Sequence, residues 1–213
     1  MTAPACEPIR DMRPEQTVRG DGHRVVRVTA RLPQHRERPF QAWVQVSMGC
    51  NSVCSYCIVP AVRGREQSRR PGEIVAEVTR LAGEGVREIT LLGQNVNSWG
   101  RDLAPAVTMD FGDLLRACND VHGIERIRFT SPHPKDMRPE TFAAMGETAT
   151  VCEHLHYPLQ SGSDRVLALM HRGYTAERYL ERLAQARVAG DPLRVVVNLV
   201  ADGLQQRDRI GER

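Results

Sequence analysis

The segment VSMGCNSVCSYCIVPAVRGREQSRR, residues 46–70, contains three cysteines in the spacing C-x3-C-x2-C. They are Cys50, Cys54 and Cys57, and they follow a short apolar run, residues 43–46, with the alternating character of a strand. In barrels of repeating strands and helices, reactive side chains collect at the carboxyl ends of the strands. We therefore predict an α/β fold with this cysteine loop at the carboxyl end of its first strand.

Three thiolates in this spacing can hold an iron–sulfur cluster that keeps one iron free. A [4Fe–4S] cubane has four irons, and each of them needs a ligand. With cysteine on three, the fourth can bind a small chelating molecule, such as the amino and carboxylate groups of S-adenosylmethionine (SAM). An electron from the cluster can then break the sulfonium bond and release a 5′-deoxyadenosyl radical, which is chemistry that the cofactor supplies.

Two other interpretations of the triad stay open. A structural zinc site needs a fourth Cys or His, and the nearest downstream candidates, Cys118 and His122, lie far along the chain. Disulfides need pairs, and three close cysteines cannot pair cleanly. The remaining interpretation is three thiols without a chemical role.

The rest of the chain alternates between strand and helix patterns. Strands are predicted at residues 41–48, 88–92, 127–130 and 152–157. Helices are predicted at 71–83, 111–121, 139–146, from a cap at Ser163 or Asp164 to about His171, and at 177–187 after a cap at Thr175. This rhythm predicts a parallel sheet with right-handed crossovers.

Length and composition favour an ordinary single domain, with or without a tail. The chain has 213 residues, of which 41% are hydrophobic, and no apolar run approaches membrane length. The N-terminus lacks the apolar region of a secretory signal. We therefore expect a cytoplasmic protein without a membrane partner. The net charge is only +3, so any case for nucleic-acid binding rests on local clustering.

Two longer blocks of sequence resemble a known family. Residues 46–100, which include ITLLGQNVNSWG at 89–100, are similar to the methylthiotransferase branch of the radical-SAM superfamily. YPLQSGSD at 157–164, followed by MHRGYT at 170–175, resembles the same branch. More narrowly, the similarity is to enzymes that add a methylthio group to C2 of N6-isopentenyladenosine in tRNA. The resemblance covers roughly residues 32–187 and implies an α/β partial (β/α)6 TIM-like barrel, incomplete at its C-terminal end.

The resemblance also implies cofactors and partners. Cys50, Cys54 and Cys57 would be the catalytic centre and the ligands of a [4Fe–4S] cluster, with SAM on the fourth iron. In the full enzyme one SAM supplies the methyl group and another supplies the radical. The expected partners are the tRNA anticodon loop, with adenosine 37 as target, and an electron donor of the flavodoxin or ferredoxin type.

Five further residues are expected to bind the cofactor. Tyr56 resembles the aromatic residue that lies against the adenine ring of SAM, and Arg172 resembles a position near SAM. Gln94 ends the second strand, where it would face the barrel mouth, although ordinary turn chemistry also explains it. Gln160 and Ser161 close the fourth strand and are expected to contact SAM or substrate.

Four arginines follow the triad closely. They are Arg63, Arg65, Arg69 and Arg70, and arginine forks suit phosphate oxygens. We expect them to contact the tRNA backbone or the SAM carboxylate. A solvated loop in an arginine-rich chain explains the cluster equally well.

Several histidines and one cysteine have weaker interpretations. His133 closes the third strand, where it would touch substrate or merely occupy a turn flanked by prolines. His154 and His156 fall on one face of a strand and are expected to be structural rather than a metal pair. Cys118, on a helix face, is expected to be a small buried hydrophobic residue.

The chain departs from the family at both ends. Residues 1–31 are expected to be an irregular tail and hold only Cys6, whereas family members bind an auxiliary cluster there through three more cysteines. Residues 32–187 are the expected core. Residues 188–213 are expected to be a divergent strand-like segment and a polar tail, without the RNA-binding C-terminal domain.

These departures favour a fragment of such an enzyme, and a minimal relative with a simpler activity stays open. Another substrate, either threonylcarbamoyladenosine or a ribosomal protein, is also possible within the same chemistry. A non-catalytic iron–sulfur or zinc module and an RNA-binding remnant are the alternatives outside it.

Overall fold

The computed structural model describes residues 38–103, 107–189 and 194–196. The side chains of residues 187–189 and 194–196 are not described. The tail predicted at 1–31, Cys6 and most of the segment predicted at 188–213 lie outside the described residues.

The described elements alternate as predicted. The strands are β1 Gln41–Gln45, β2 Ser47–Met48, β3 Gln67–Ser68, β4 Glu88–Leu92, β5 Arg126–Phe129, β6 His154–His156 and β7 Arg194–Val196. The helices are α1 Val59–Arg63, α2 Pro71–Gly83, α3 Phe111–Asn119, α4 Pro139–Glu147, α5 Asp164–Leu169 and α6 Ala176–Ala189. Single 3-10 turns occupy Val96–Ser98 and Pro134–Asp136.

The main sheet has the order β1-β4-β5, and both pairings are parallel, as predicted. A side-chain cluster at its first register position supports this order. Glu88 accepts from Gln41 Nε2 at 2.6 Å and from Arg126 Nε at 2.6 Å, and these residues are its register partners on either side. Each strand is thereby fixed to its neighbour at the same level.

The fourth predicted strand is shorter than expected. β6 pairs in parallel with β7, and the bridge between Ile127 and Val151 links this region to the main sheet. Pairing of β7 agrees with the strand propensity of the segment that begins near residue 193.

Helices cover one face of the sheet because their apolar residues recur at helical spacing. In α2, Ile74, Val78 and Leu81 are buried. On β1, Ala42 and Val44 are buried and contact this layer, whereas Trp43 points to the other face and is 62% exposed. The core therefore lies between the sheet and its outer helices.

Three local predictions need correction. The strand predicted over 41–48 ends at Gln45, because β2 turns away to pair antiparallel with β3. The helix α1 was not predicted, although Pro60 in its first turn is typical of a helix start. Ser163 stands at the cap position of α5 but makes no side-chain cap bond.

The predicted cap of α6 is confirmed, since Thr175 Oγ1 accepts from the amide of Arg178 at 3.2 Å. Among the described helices, none is both long and apolar enough to cross a membrane.

Candidate active site

The cysteine loop begins at a position that requires glycine. Gly49 has φ +79°, and a Cβ placed on it would lie 2.2 Å from the carbonyl oxygen of Arg65. Its amide donates to Gln94 Oε1 at 2.6 Å, and the amide of Cys50 donates to the carbonyl of Gly64 at 3.2 Å. Gln94, predicted at the barrel mouth, thus holds the start of the cysteine loop against the carboxyl end of β4.

The three cysteines are free thiols with different exposures. Cys50 and Cys54 are half-buried and Cys57 is exposed. The amide of Ser52 donates to Cys50 Sγ at 3.4 Å. Hydrogen bonds to the sulfur ligands are among the features that tune an iron–sulfur cluster, so this contact is compatible with Cys50 as a cluster ligand.

Arg172 joins two predicted site residues. It is 5% exposed, and its Nη1 lies 3.3 Å from Cys54 Sγ and 3.2 Å from the hydroxyl oxygen of Tyr56. Its Nε donates to the hydroxyl of Tyr174 at 3.3 Å. The structure therefore brings Arg172 to Cys54 and Tyr56, from which it is separated by 118 and 116 positions in the sequence. Partial burial raises the pKa of Tyr56, so its hydroxyl stays protonated near neutral pH.

The turn after α5 is attached to the cysteine loop through the backbone as well. The amide of Ser55 donates to the carbonyl of Met170 at 3.2 Å, and His171 Nδ1 lies 3.3 Å from the carbonyl oxygen of Val53. His171 has φ +54°, an uncommon conformation for a non-glycine residue. This strained turn positions the guanidinium of the next residue, Arg172.

The described residues fit a cubane better than a single ion. No three His, Cys, Asp or Glu side chains among them converge closely enough to hold one metal ion. In a cubane held by three cysteines each thiolate binds a different iron, so the ligands need not converge on one point. Cys118, the candidate fourth zinc ligand, is buried in α3, and burial raises the pKa of its thiol to about 12. It is the buried hydrophobic residue that was predicted.

Among the described residues, no hydrogen bond joins Gln160 or Ser161 to the cysteine loop. Gln160 has φ +76°. Ser161 is 2% exposed, and its Oγ accepts from the amide of Ser163 at 3.1 Å. A role in cofactor binding stays a prediction for both.

The arginine cluster divides into two groups. Arg69 is half-buried and pairs with Glu77 at 2.7 Å, and it also donates to the carbonyl of Gln45 at 2.7 Å. Its side chain supports the junction of β1 and α2. Arg63, Arg65 and Arg70 are exposed and remain candidates for RNA contact.

His133 lies inside the fold rather than on its surface. It is 7% exposed, and burial lowers the pKa of its ring to about 3, with Arg172 contributing. Its Nδ1 accepts from the amide of Lys135 at 3.2 Å, and its ring meets that of Tyr174 edge-on at 5.9 Å. The ring is therefore neutral and supports the turn after β5. A substrate contact stays a prediction.

Sequence reasoning missed a polar cavity beside the cysteine loop. Its volume is about 120 Å³. The residues that line it come from the cysteine loop, from the position just before β3 and from the loops after β4 and β5. They are Asn51, Ser52, Glu66, Asn95, Ser98, Arg101, Asp102, Lys135 and Asp136. No local pattern in the sequence predicts this cavity, because the residues that line it come together only in the folded structure.

Glu66 is the centre of that cavity's hydrogen bonding. Both of its carboxylate oxygens lie 2.7 Å from Ser98 Oγ, and its amide donates to Asn51 Oδ1 at 3.2 Å. Asn95 Nδ2 donates to Asp136 Oδ2 at 2.6 Å, and Arg101 pairs with the other oxygen of Asp136. Burial raises the pKa of Glu66, whereas hydrogen bonds from Asn95 and Arg101 outweigh burial and lower the pKa of Asp136.

Curated relatives of high identity share one name. A tRNA-2-methylthio-N(6)-dimethylallyladenosine synthase from Saccharopolyspora erythraea is 52% identical over 169 residues, which are 79% of this chain and 34% of the relative. The protein of that name from Streptomyces coelicolor is 54% identical over 158 residues, or 74% of this chain and 31% of the relative. The chain thus spans about a third of the length of these relatives.

Solved structures show the same fold at low identity. The radical S-adenosylmethionine methyltransferase TsrM from Kitasatospora setae matches with TM-score 0.55 and 20% identity, over 76% of this chain and 30% of TsrM. Streptococcus suis SuiB matches with TM-score 0.56 and 17% identity, over 76% of this chain and 33% of SuiB. The predicted α/β partial TIM-like barrel is confirmed.

The family model described as the radical SAM superfamily matches residues 44–207. That match begins on β1, includes the cysteine loop and continues through β7. This chain belongs to the radical SAM superfamily.

Proposed function

We propose that this chain is the radical-SAM core of a tRNA methylthiotransferase that adds a methylthio group to C2 of N6-isopentenyladenosine 37. The observation that carries this proposal is the identity of 52–54% to synthases of that name over 74–79% of this chain. Relatives with this much identity over a shared core generally keep its chemistry, while the rest of the enzyme lies in segments that this match does not cover.

The cysteine loop supplies the cofactor site in this proposal. Cys50, Cys54 and Cys57 hold a [4Fe–4S] cluster, and SAM binds beside it. The cluster with its bound SAM supplies one-electron radical chemistry. Arg172 donates an N–H to Cys54 Sγ and fixes the hydroxyl of Tyr56, so one buried guanidinium orients both a ligand and the aromatic residue expected against adenine.

Gln94 acts at the opposite end of the loop. By accepting from the amide of Gly49, it fixes the backbone one residue before the first ligand, Cys50. Gln160 and Ser161 would complete the cofactor site from the loop after β6.

The substrate side of the proposal rests on exposed charge. Arg63, Arg65 and Arg70 are exposed beside the cysteine loop and suit the phosphates of an anticodon loop. Recognition of RNA generally targets unpaired loop bases, which can be splayed into a pocket. An electron donor of the flavodoxin or ferredoxin type and a cytoplasmic setting complete the expected context.

The experiment uses the 213-residue chain, reconstituted with iron and sulfide without oxygen, and isopentenylated tRNA. We expect 5′-deoxyadenosine from SAM but no methylthio product, because only Cys6 precedes the triad as a possible further thiolate ligand. Fusing the chain to the remaining segments of the Saccharopolyspora erythraea relative should restore the product. A fusion that cleaves SAM but never modifies this tRNA would contradict the proposed substrate.

A further inference from the structure

The most deeply buried arginine in the described part of the chain has no carboxylate beside it. Arg172 is 5% exposed, and it is the only arginine that is buried among the described residues. The described arginines that do pair with Asp or Glu are much more accessible, with side chains that are 33–54% exposed. The groups that stabilise the charge of Arg172 are instead Tyr56, Tyr174 and Cys54. Because a buried charge is costly unless it is paired, this position favours an anion from another source.

The contacts of the guanidinium fix its direction without neutralising its charge. Its Nε donates to the hydroxyl of Tyr174 at 3.3 Å, and its Cζ lies 5.5 Å from the centroid of the same ring. The Tyr174 hydroxyl in turn donates to the carbonyl oxygen of Leu159 at 2.8 Å, which ties it to the loop after β6. The neutral ring of His133 packs edge-on against Tyr174. The positive charge is therefore held in place by uncharged groups.

The sulfur of Cys54 is the contact at which an anion would form. Arg172 Nη1 lies 3.3 Å from Cys54 Sγ. A cysteine that ligates an iron–sulfur cluster does so as a thiolate, and the potential of the cluster depends on its net charge and on hydrogen bonds to its sulfurs. Reduction takes one electron from the donor and adds one negative charge, and no bond is broken. A fixed positive charge next to a ligand sulfur therefore stabilises the reduced form more than the oxidised form.

Resting on the proposed function, we propose that Arg172 is the counter-charge of the cluster and raises its reduction potential. The effect is strengthened by burial, because charges interact more strongly where water is excluded. Arg172 acts through Cys54, so it is a positioning residue, and its contribution is visible in the potential of the cluster rather than only in the rate of the reaction.

The carboxylate of SAM is the other anion that would suit Arg172, and the two sources predict different results. A counter-charge for the cluster changes the potential when SAM is absent. A partner for the SAM carboxylate changes the affinity for SAM and leaves the potential of the SAM-free cluster as it was. The measurement is therefore made without SAM first, and SAM binding is measured afterwards on the same samples.

The test is a potentiometric titration of the reconstituted 213-residue chain, with the reduced cluster followed by electron paramagnetic resonance. R172Q removes the charge but keeps an N–H donor, R172K keeps the charge, and R178Q removes a charge at an exposed position on α6 as the matched control. At a given potential we expect the ratio of reduced to oxidised cluster to be about tenfold lower in R172Q, which is a midpoint about 59 mV lower for one electron. R172K and R178Q should stay within about threefold of wild type.

A cluster in R172Q with the midpoint of wild type would overturn the inference, and weaker SAM binding by that sample would assign the charge to the SAM carboxylate. If R172Q takes up no iron, R172K decides: a cluster with a midpoint near that of wild type supports the counter-charge, whereas loss of iron from R172K as well contradicts it. Wild-type protein without a cluster would contradict the proposed function itself, and the inference with it.

Discussion

Arg172 shows how one residue couples parts of the site that are distant in sequence. Its guanidinium is 5% exposed and donates to the Cys54 sulfur and to the hydroxyls of Tyr56 and Tyr174. Arginine suits this position because its planar fork has five donors in fixed directions.

Replacing Arg172 with lysine keeps the charge and removes the fork. We expect R172K to weaken SAM binding by about tenfold, since a single ammonium cannot reach all three acceptors in this geometry. The measurement is equilibrium dialysis of SAM against reconstituted protein, with iron content determined on the same samples. R178K, at an exposed position on α6, is the matched control. Equal SAM affinity in R172K and wild type would contradict the role given to Arg172.

Burial of His133 makes a prediction about acid stability. The unfolded ring takes up a proton near pH 6.5, but the folded ring does so only near pH 3. Below pH 6.5 the unfolded state therefore binds a proton that the native state does not, and stability falls as pH falls towards 3. For this group alone the loss at pH 5 is about 2 kcal/mol.

H133N provides the comparison, because its amide oxygen can keep the hydrogen bond from the amide of Lys135. Urea unfolding at pH 7 and pH 5 should show a smaller loss of stability in H133N than in wild type, by about 2 kcal/mol. The same loss in both proteins would show that His133 does not carry this pH dependence.

At the residue level, the sequence could predict which side chains lie near the cysteine loop, whereas their roles in cofactor binding stay predictions. The triad, Gln94 and Arg172 were all expected near one site, and the structure brings Gln94 and Arg172 to the cysteine loop. Glu66 was not predicted as a site residue, because nothing near it in sequence reveals that it contacts Ser98.

At the scale of elements, α3 shows how a helix is fixed at both its start and its side. Asp110 accepts from the amide of Asp113 at 3.0 Å, and the Asp113 side chain accepts from the amide of Asp110 at 3.0 Å, which forms a capping box. The helix α4 packs against α3 so closely that only glycine fits at the point of contact, position 112. A Cβ on Gly112 would lie 2.7 Å from the carbonyl oxygen of Glu140.

G112A should therefore destabilise the protein although alanine is the better helix former. We expect a loss of about 1–3 kcal/mol, typical of overpacking, in the free energy of unfolding by urea. G83A at the end of α2 is the matched control, because a Cβ there meets no atom within 4 Å. Its expected gain is at most about 1 kcal/mol. A G112A protein as stable as G83A would show that the α3–α4 approach is not tight.

Elements with one strong period were predictable, and elements set by tertiary pairing were not. The helix expected over 71–83 has those bounds, since Pro71 marks its start and three apolar residues mark its buried face. The first strand was predicted too long. Its end depends on β3, because residues 47–48 pair antiparallel with residues 67–68, which lie much later in the chain.

At the scale of the whole molecule, the described residues form a partial barrel, and β1 leaves a large side chain exposed on its inner face. Trp43 is 62% exposed on the face of β1 opposite its helical layer. The alternation of strands and helices predicted the parallel sheet, the layer of helices against it and the position of the cysteine loop. The separate pairing of β6 with β7 did not, because no local pattern determines which strand follows β5 in the sheet.

The central claim is that Cys50, Cys54 and Cys57 together hold one [4Fe–4S] cluster that accepts SAM. The most direct test is metal analysis and electron paramagnetic resonance of the anaerobically reconstituted chain, with and without SAM. C152A, a half-buried cysteine outside the triad, is the matched control for a C50A/C54A/C57A variant.

We predict about four irons per chain and a reduced-cluster spectrum that changes when SAM is added, in both wild type and C152A. The triple variant should lose the iron and the spectrum. Zinc or no metal in wild-type protein, or a full cluster retained by the triple variant, would contradict the account.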